Sequence, residues 1–232
     1  MRDRDALEIR QLPLFATMSE ESFDALLTGA YFQTFPQSLQ LITEGDDADF
    51  LFVVVEGCVE LFANSNGREA TMTVVKPHGT FILAAVIKDM VYLMSGRTTD
   101  KSRILMIPAE NVRIAFRKDA EFARTIVVEL AGCYRGVVKD HKDQKLRTGV
   151  ERLANRLIKY HKLQGATGEL TLPYDKRTLA SLLGMTPENL SRAFATLRHY
   201  GVEVSGMKVC LSDLKSLETL AKPNALIDQP GA

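Results

Sequence analysis

The spacing of apolar residues changes along this 232-residue chain, and each change predicts a different kind of structure. From about residue 31 to 107, short runs rich in β-branched and aromatic residues alternate with turn residues, which predicts an all-β region of roughly eight strands. After Asp119 the apolar residues recur at helical spacing, which predicts a long helix. A break at residues 145–149 separates this helix from a second helical region. The pattern therefore predicts an α+β chain in three parts, residues 1–108, 109–146 and 147–232.

The β-rich part is preceded by a short helix and is expected to fold as a jelly-roll-like β-roll. Ser19 can cap the short helix, and Phe23, Leu26 and Leu27 are expected to be its buried residues. Gly, Asp, Asn and Pro residues separate the apolar runs and favour turns. The predicted strands are residues 32–35, 39–43, 50–56, 58–63, 71–76, 80–86, 91–95 and 102–107.

Residues 109–146 contain no proline and are predicted to form a dimerisation helix and a hinge. Apolar residues at steps of four, three and four form a seam that suits pairing with a second helix. The seam consists of Ile126, Leu130, Cys133 and Val137. A neighbouring stripe consists of Val127, Ala131, Tyr134, Val138 and His141. Two adjacent stripes fit a helix that packs on its own β domain and on a partner, which favours a homodimer; a monomeric core helix is the alternative.

Two amphipathic helices with a tight turn between them are predicted within residues 176–198. Gly184 suits the positive φ of such a turn, and Thr186 can cap the second helix with Pro187 at its first position. The polar face of the second helix consists of Glu188, Asn189, Ser191 and Arg192. A carboxylate and a guanidinium can read base edges, each good pair giving about 1–3 kcal/mol of discrimination. An ordinary helical hairpin with Glu188 and Arg192 as a surface ion pair is the alternative interpretation.

The distribution of charge favours a nucleic-acid interface in the same region. The whole chain carries 29 Lys and Arg against 29 Asp and Glu, so its net charge is zero. Between Leu146 and Leu211, however, 10 basic residues face 5 acidic ones, and the rest of the chain carries the opposite excess. Residues expected to contact phosphates or to position the protein on DNA are Lys176, Arg177, Thr186, Asn189 and Arg198.

The motif Glu188-x-x-Ser191-Arg192 after a Leu-Leu-Gly turn resembles the recognition helix of the Crp/Fnr superfamily, closest to its Fnr, FixK, Dnr and Nnr-like branch. Downstream, residues 200–211 alternate and turn at Ser205-Gly206, which resembles the wing of a winged helix. The resemblance implies a homodimeric bacterial transcription regulator in which Glu188, Ser191 and Arg192 read a TTGAT-type half-site. It also implies double-stranded DNA and RNA polymerase as partners, with the two recognition helices about 34 Å apart.

The segment Glu44-Gly45-Asp46 and the apolar strand after it resemble the opening of the cyclic-nucleotide-binding β-roll. Members that bind the nucleotide hold its phosphate with an Arg-Ser/Thr pair, but in this chain residues 93–96 place no arginine in the corresponding phosphate position. Because a buried phosphate would then be an unpaired charge, cyclic AMP is not expected to be the effector. Arg97 and Thr98 are the exception to this pattern, and Arg97 is interpreted as a solvated residue at a strand end.

Candidate residues for an effector pocket are apolar, with one histidine, and indicate an apolar or planar ligand or none. They are Phe81, Leu83, Tyr92, Met94 and His78. Resemblance to the nitric-oxide regulators permits haem, with His78 or His141 as ligand. An Fnr-type iron–sulfur cluster needs four thiolates, whereas the chain has three cysteines. These are interpreted as buried reduced thiols, namely Cys58, Cys133 and Cys210.

Three other predictions concern the class and location of the protein. Without a secretory signal or a membrane-spanning run, the chain is expected to be cytoplasmic and not bound to a membrane. No catalytic or metal site is predicted; a cupin-type metalloenzyme is the alternative, but His78 is the only histidine in the β region. A regulator controlled by its own abundance and a module that acts through protein contacts also remain open. A turn at 164–168 and a frayed tail at 223–232 complete the predictions.

Overall fold

The computed structural model describes residues 3–165 and 168–229. Part of the predicted turn at 164–168 and the end of the predicted tail lie outside these residues. The chain divides into two compact units, Met1–Cys133 and Tyr134–Ala232. Each unit has its own cluster of buried apolar side chains. The predicted α+β class is confirmed, because both units combine helices with antiparallel sheets.

The first unit is built on two four-stranded antiparallel sheets, ordered β1-β8-β3-β6 and β2-β7-β4-β5. Its strands are β1 Tyr31–Phe35, β2 Gln40–Ile42, β3 Phe50–Glu56, β4 Val59–Ser65, β5 Arg68–Val75, β6 Thr80–Phe81, β7 Ser95–Thr98 and β8 Ser102–Pro108. Its helices are α1 Asp3–Arg10, α2 Glu20–Leu26, α3 Leu83–Lys88, α4 Ala109–Lys118 and the beginning of α5 Ala120–Leu146. Strand β3 is buried on both faces, so it lies at the centre of the core.

Two of the predicted strands are wrong. Beyond Phe81, the predicted strand 80–86 is the helix α3, and β7 begins at Ser95 where the predicted strand 91–95 ends. A short run of consecutive apolar residues fits a buried strand and a buried helix equally well. The backbone is left-handed at Ile82 and at Asp89, with φ of 68° and 55°. These two residues bound α3 on both sides, so the apolar run between them is a helix and not a strand.

The predicted helix 109–146 is two helices, and Asp119 lies between them. The carboxylate of Asp119 accepts hydrogen bonds from the amide of Phe122 and from the amide and hydroxyl of Ser19, at 2.9, 2.9 and 3.0 Å. The bond from Phe122, followed by those from Ser19, lowers the pKa of this buried carboxyl to about 2. Ser19 also caps α2, as predicted, by accepting from the amide of Ser22. Asp119 thus fixes the start of α5 against α2.

The seam predicted on α5 is wrong at its first position. Ile126 is fully buried in the core of its own unit, so it is not available to a partner helix. Leu130 is partly buried against the same core. Other apolar side chains of α5, before and after Leu130, are exposed: Val127 by 57%, Tyr134 by 71%, and Val137 by 65%. The exposed apolar face therefore has the order Val127, Leu130, Tyr134 and Val137, because the neighbouring β domain has taken Ile126.

The described part of the second unit combines five further helices with a small sheet of order β10-β11-β9. Its elements are α6 Gly149–Leu163, β9 Glu169–Thr171, α7 Lys176–Leu182, α8 Pro187–Leu197, β10 Val202–Ser205, β11 Lys208–Leu211, α9 Leu214–Ala221 and α10 Ala225–Asp228. Thr148 and Glu151 form a capping box at the start of α6. Leu153, Leu157 and Leu190 belong to the core on which α6 and α8 pack.

The tail predicted to be frayed is ordered as far as residue 229. Asn224 caps α10 by accepting from the amide of Leu226 at 2.9 Å. The carboxylate of Asp228 accepts two hydrogen bonds from the Arg147 guanidinium, at 2.8 and 2.7 Å. The prediction of fraying was wrong because it considered only the local sequence, while Arg147 is distant in the chain.

The cysteines also differ from their prediction. Cys58 is partly buried, but Cys133 and Cys210 are exposed, so the prediction of buried thiols is wrong for these two. Cys133 lies on the exposed part of α5 and Cys210 on the solvent side of β11.

Across the described residues, no helix is both long and apolar enough to span a membrane.

Candidate nucleic-acid interface

The turn between α7 and α8 has the geometry that its sequence predicts. Asp175 caps α7 by accepting from the amide of Thr178 at 2.7 Å. Gly184 has a φ of 62°, a conformation in which a side chain would be strained. The amide of Met185 then closes the turn by donating to the carbonyl of Ala180 at 2.9 Å. The two helices are consequently joined by a short, hydrogen-bonded turn.

Helix α8 separates an apolar face from a polar one. Thr186 accepts a hydrogen bond from the amide of Asn189 at 3.2 Å, and Pro187 occupies the first helical position, both as predicted. The buried face consists of Leu190, Ala193, Phe194 and Leu197. The exposed face includes Glu188, Asn189, Ser191 and Arg192. The structure therefore brings together on one exposed face the side chains predicted to read bases.

The electrostatics of this face keep a carboxylate and a guanidinium available to solvent. The pKa of Glu188 is lowered, first by a hydrogen bond from its own backbone amide and then by the Thr186 hydroxyl and the charge of Arg192. The Glu188 side chain is therefore ionised at neutral pH. Arg192 lies one helical turn further along the same face. The hydroxyl of Ser191 donates to the carbonyl of Pro187 at 3.0 Å, which leaves its oxygen free to accept another bond.

The predicted phosphate contacts flank this face. Lys176 and Arg177 are exposed in the first turn of α7, and Arg198 is exposed directly after α8. Thr186 and Asn189 lie at the beginning of α8, where the helix dipole favours negative charge. Basic side chains and a helix N-terminus are the usual partners of DNA phosphates, so the arrangement is suited to positioning a duplex.

The predicted hairpin after α8 is present as β10 and β11. Ser205 pairs with Lys208, which leaves Gly206 and Met207 as the two central turn residues. The turn is thus one residue later than predicted. Gly206 has a φ of 59°, as a two-residue hairpin requires at that position. Lys208 also forms an ion pair with Glu169 at 2.9 Å, which links the hairpin to β9.

Four of the five residues predicted to line an apolar effector pocket belong to the packed core of the β domain or pack against it, and His78 lies apart from them. Phe81 stacks on Phe52 with ring centroids 4.9 Å apart, and both rings are in the core. Leu83 is also buried in the core, and Met94 packs partly buried against it. His78 is exposed on a turn, with a φ of 69°. The prediction failed because apolar side chains at these positions fill the interior of the β domain.

Of the five candidates, Tyr92 lines a cleft, which has a volume of about 600 Å³. The cleft is not apolar as predicted, because Asp46, Asp47 and Asp49 contribute to its wall. Burial raises the pKa of Tyr92, with backbone hydrogen bonds opposing the rise. The other lining residues are Leu41, Ile42, Gly45, Phe50, Phe52 and Met106. Its acidic wall makes this cleft unsuitable for a phosphate.

Arg97 is not the solvated residue that the sequence suggested. Its Nε donates to the nearly buried Glu60 at 2.7 Å, and its two terminal nitrogens donate to Glu69 at 3.1 and 2.8 Å. The guanidinium lies 4.2 Å from the centroid of the Phe62 ring. The bonds to Glu69 and then Glu60 raise the pKa of Arg97. This guanidinium is therefore neutralised by two carboxylates of its own sheet.

The part of the chain that the structure describes contains no group of side chains arranged as a metal site. Within residues 3–165 and 168–229, no three His, Cys, Asp or Glu side chains are grouped so that they could hold a metal ion. The three cysteines lie on β11, on α5 and between β3 and β4.

Comparison with known proteins assigns a domain type to each unit. Residues 32–119 match the cyclic nucleotide-binding domain, and residues 151–220 match the Crp-like helix-turn-helix domain. Among curated proteins no significant match was found. The two domain matches together include nearly all of the three sheets of the described residues, the turn between α7 and α8 and the predicted base-reading residues.

Solved structures of similar proteins cover nearly the whole chain. A proposed cAMP-binding regulatory protein from Silicibacter pomeroyi DSS-3 is 28% identical, with 94% of this chain and 100% of that chain covered and a TM-score of 0.59. FixK2 from Bradyrhizobium japonicum is 21% identical, with coverage of 88% and 99% and a TM-score of 0.69. The c-di-GMP responsive regulator CLP from Xanthomonas campestris is 18% identical, with coverage of 83% and 99% and a TM-score of 0.71. The last two similarities establish the fold.

Proposed function

We propose that the protein binds a palindromic TTGAT-type site as a homodimer. By its two domains the chain belongs to the Crp/Fnr family of DNA-binding transcription regulators. The observation that carries this proposal is the exposed polar face of α8. A helix with one apolar buried face and a second face of carboxylate, amide, hydroxyl and guanidinium groups is suited to the major groove.

Specific base contacts come from three side chains of α8. Arg192 donates two hydrogen bonds to the O6 and N7 atoms of a guanine, and Glu188 accepts one from the N4 amino group of a cytosine. Ser191 can accept a hydrogen bond from a base while its hydroxyl donates to Pro187, and it can donate to a base or a phosphate if that internal bond is released. The exposure of all three residues, together with the ionised state of Glu188, supports these roles.

Phosphate contacts fix the register of α8 in the groove. Lys176, Arg177 and Arg198 supply the charge, while Thr186 and Asn189 lie at the helix N-terminus. Such contacts add affinity without sequence preference and make binding sensitive to salt. Base reading and positioning are thus carried by different residues, and mutations can separate them.

Dimerisation through α5 follows from its exposed apolar face. Val127, Tyr134 and Val137 lie at steps of seven and three and are more than half exposed. A water-exposed apolar stripe at this spacing is stabilised by pairing with the same stripe of a second copy. A two-fold dimer would then present two α8 helices to successive major grooves, about 34 Å apart. RNA polymerase is the protein partner that the family assignment implies.

The contacts within the β domain favour a regulator whose DNA binding is controlled by the amount of protein over one controlled by an anionic effector. Arg97 is already paired with two carboxylates, and the cleft next to Tyr92 is acidic. The two histidines considered as haem ligands are both exposed, His78 on a turn and His141 on α5. We infer that DNA binding is intrinsic to the protein; a response of the β domain to nitric oxide, to redox state or to another small effector is the alternative. The chain fits the branch that lacks an iron–sulfur cluster.

The test is a fluorescence anisotropy titration of the full chain on a palindromic TTGAT–ATCAA duplex. The control duplex has both half-sites scrambled at the same length and composition. Binding at least about 10³-fold tighter to the palindrome than to the control is the result expected of a specific regulator. Equal binding to both duplexes would contradict the proposal.

The same titration distinguishes the two modes of control. It is repeated with cyclic AMP, and under reducing anaerobic conditions with haem before and after nitric oxide. Unchanged affinity in all cases is expected for a regulator controlled by its abundance. An affinity that rises only with haem and changes with nitric oxide would establish the alternative.

A further inference from the structure

The C-terminal segment Asn224–Gln229 is tied to the junction between α5 and α6. Arg147, in this junction, is bound by Asp228 through two hydrogen bonds and by Asp143 through a third at 2.8 Å. Only 7% of the Arg147 side chain is exposed. The backbone carbonyl of Gln229 also accepts a bond from Lys139 at 2.7 Å. These contacts connect the C-terminal segment to the end of α5 at two points.

A second arginine connects this junction to the turn of the helix-turn-helix. Arg152, on the first turns of α6, donates from its Nε to the carbonyl of Leu183 at 2.9 Å. A terminal nitrogen of the same guanidinium donates to the carbonyl of Arg147 at 2.7 Å. One planar group thus holds a carbonyl of the junction and a carbonyl of the turn in a fixed relation.

Close packing reinforces this connection on the other side of the turn. A Cβ atom placed on Gly184 would lie 2.5 Å from the side-chain oxygen of Gln144, near the end of α5. A Cβ atom on Gly149 would lie 3.2 Å from the sulfur of Met185. The turn before α8 is therefore packed closely against the side chain of Gln144 on α5 and against the start of α6.

We propose that the segment Asn224–Gln229 is a clamp that, through Arg147 and Arg152, fixes the position of the helix-turn-helix turn against the end of α5. In this role Arg147, Arg152 and Asp228 are positioning residues, and none of them reads a base. The inference rests on the proposed function, because the clamp matters through the placement of α8 relative to the dimer helix.

The clamp acts on the spacing of two half-sites. In a dimer joined by α5, the distance between the two α8 helices depends on how firmly each is held relative to its α5. Burial opposes ionisation of Asp228, but the bonds from Arg147 and from the Asn224 amide outweigh it and lower its pKa, so the pair is charged at neutral pH. Removing the charge of Asp228 leaves the buried Arg147 poorly paired and loosens the junction between α5 and α6.

The experiment compares Asp228→Asn and Arg147→Lys in the full chain with a matched control, Glu218→Gln. The control removes an exposed ion pair with Lys162 in the same unit, at 3.7 Å. Affinity is measured for the TTGAT palindrome and for the same palindrome with two base pairs inserted at its centre. Both clamp variants are expected to reduce the preference for the original spacing at least about fivefold. Their preference for TTGAT over a substituted half-site is expected to stay unchanged.

Hydrogen exchange of the free protein tests the clamp without DNA. The amides of Gly184 and Met185 are expected to exchange about tenfold faster in both clamp variants and at the wild-type rate in Glu218→Gln. If the spacing preference and the exchange rates of the clamp variants match those of the control, the clamp is refuted. A wild-type protein that binds no DNA would instead refute the proposed function, while the exchange rates would still report on the clamp.

Discussion

Helices α8 and α5 both expose a continuous face, but the chemistry of the two faces is opposite. The exposed face of α8 consists of charged and hydrogen-bonding side chains, including Glu188 and Arg192. The exposed face of α5 is apolar, with Tyr134 and Val137 as its most exposed members. A polar face can remain in water until DNA replaces that water, whereas an apolar face of this length is stabilised by protein.

This difference separates the two tasks of a regulator. Reading DNA requires side chains that are held by their own helix yet are available to a ligand, which α8 achieves by burying only its apolar face. The proposed dimer requires apolar area that the monomer does not cover, and α5 exposes such area although Ile126 is buried in the β domain. Substitutions on either helix should therefore fail in different ways.

The largest effect is expected from Val137→Asp. A charge on the apolar face of α5 would face the same charge of the partner, and like-charge juxtaposition costs several kcal/mol, so the dimer dissociation constant should rise more than about 100-fold. Sedimentation velocity across a concentration series measures this constant. Val128→Asp is the matched control, because Val128 is 67% exposed and lies nine residues away, on the opposite side of the helix. Equal dissociation in both variants would show that the face is not the interface.

A smaller but more selective effect is expected from Arg192→Ala. Losing a bidentate pair with guanine should cost about 1–3 kcal/mol on the preferred site and relax the preference at that base. Anisotropy titrations on the palindrome and on a duplex with that guanine replaced measure the difference. Thr196→Ala, further along the exposed face of the same helix, is the control. An equal loss on both duplexes from Arg192→Ala would contradict the base-reading role.

Asp119→Asn tests whether the start of α5 is fixed by its cap. The amide offers one acceptor oxygen where the carboxylate offers two, so unfolding free energy should fall by about 1 kcal/mol at pH 7. Because the folded-state pKa of Asp119 is lowered to about 2, the carboxylate stabilises the fold above its ordinary pKa of about 3.9. This contribution is lost as pH falls towards 2. Urea unfolding of both proteins at pH 7 and pH 3 should show the difference shrinking at the lower pH.

The smallest effect is expected from Lys176→Ala. Loss of one phosphate contact should weaken binding to every duplex alike and reduce the slope of log affinity against log salt by about 0.9. Anisotropy titrations between 50 and 200 mM salt, about the range where such slopes are linear, measure it. Lys215→Ala, exposed in the first turn of α9, is the control. A change in base preference without a change in slope would assign Lys176 a different role.

The local sequence was sufficient to predict the helix-turn-helix. Gly184, Thr186 and Pro187 each act on their own backbone or on that of the next few residues, so their effects do not depend on the rest of the chain. The separation of α8 into two faces likewise follows from periodicity. The exposure of Glu188, Ser191 and Arg192 was predictable for the same reason.

Only the tertiary structure decided the remaining features, because each depends on residues far apart in the chain. The β domain took Ile126 into its core and left Val127 exposed next to it on α5. Glu60 and Glu69 paired with Arg97, which the sequence had suggested was solvated. Arg147 holds the tail through its two hydrogen bonds to Asp228. Periodicity and capping act over a few residues, whereas a buried position or an ion pair is determined by whatever the fold places opposite it.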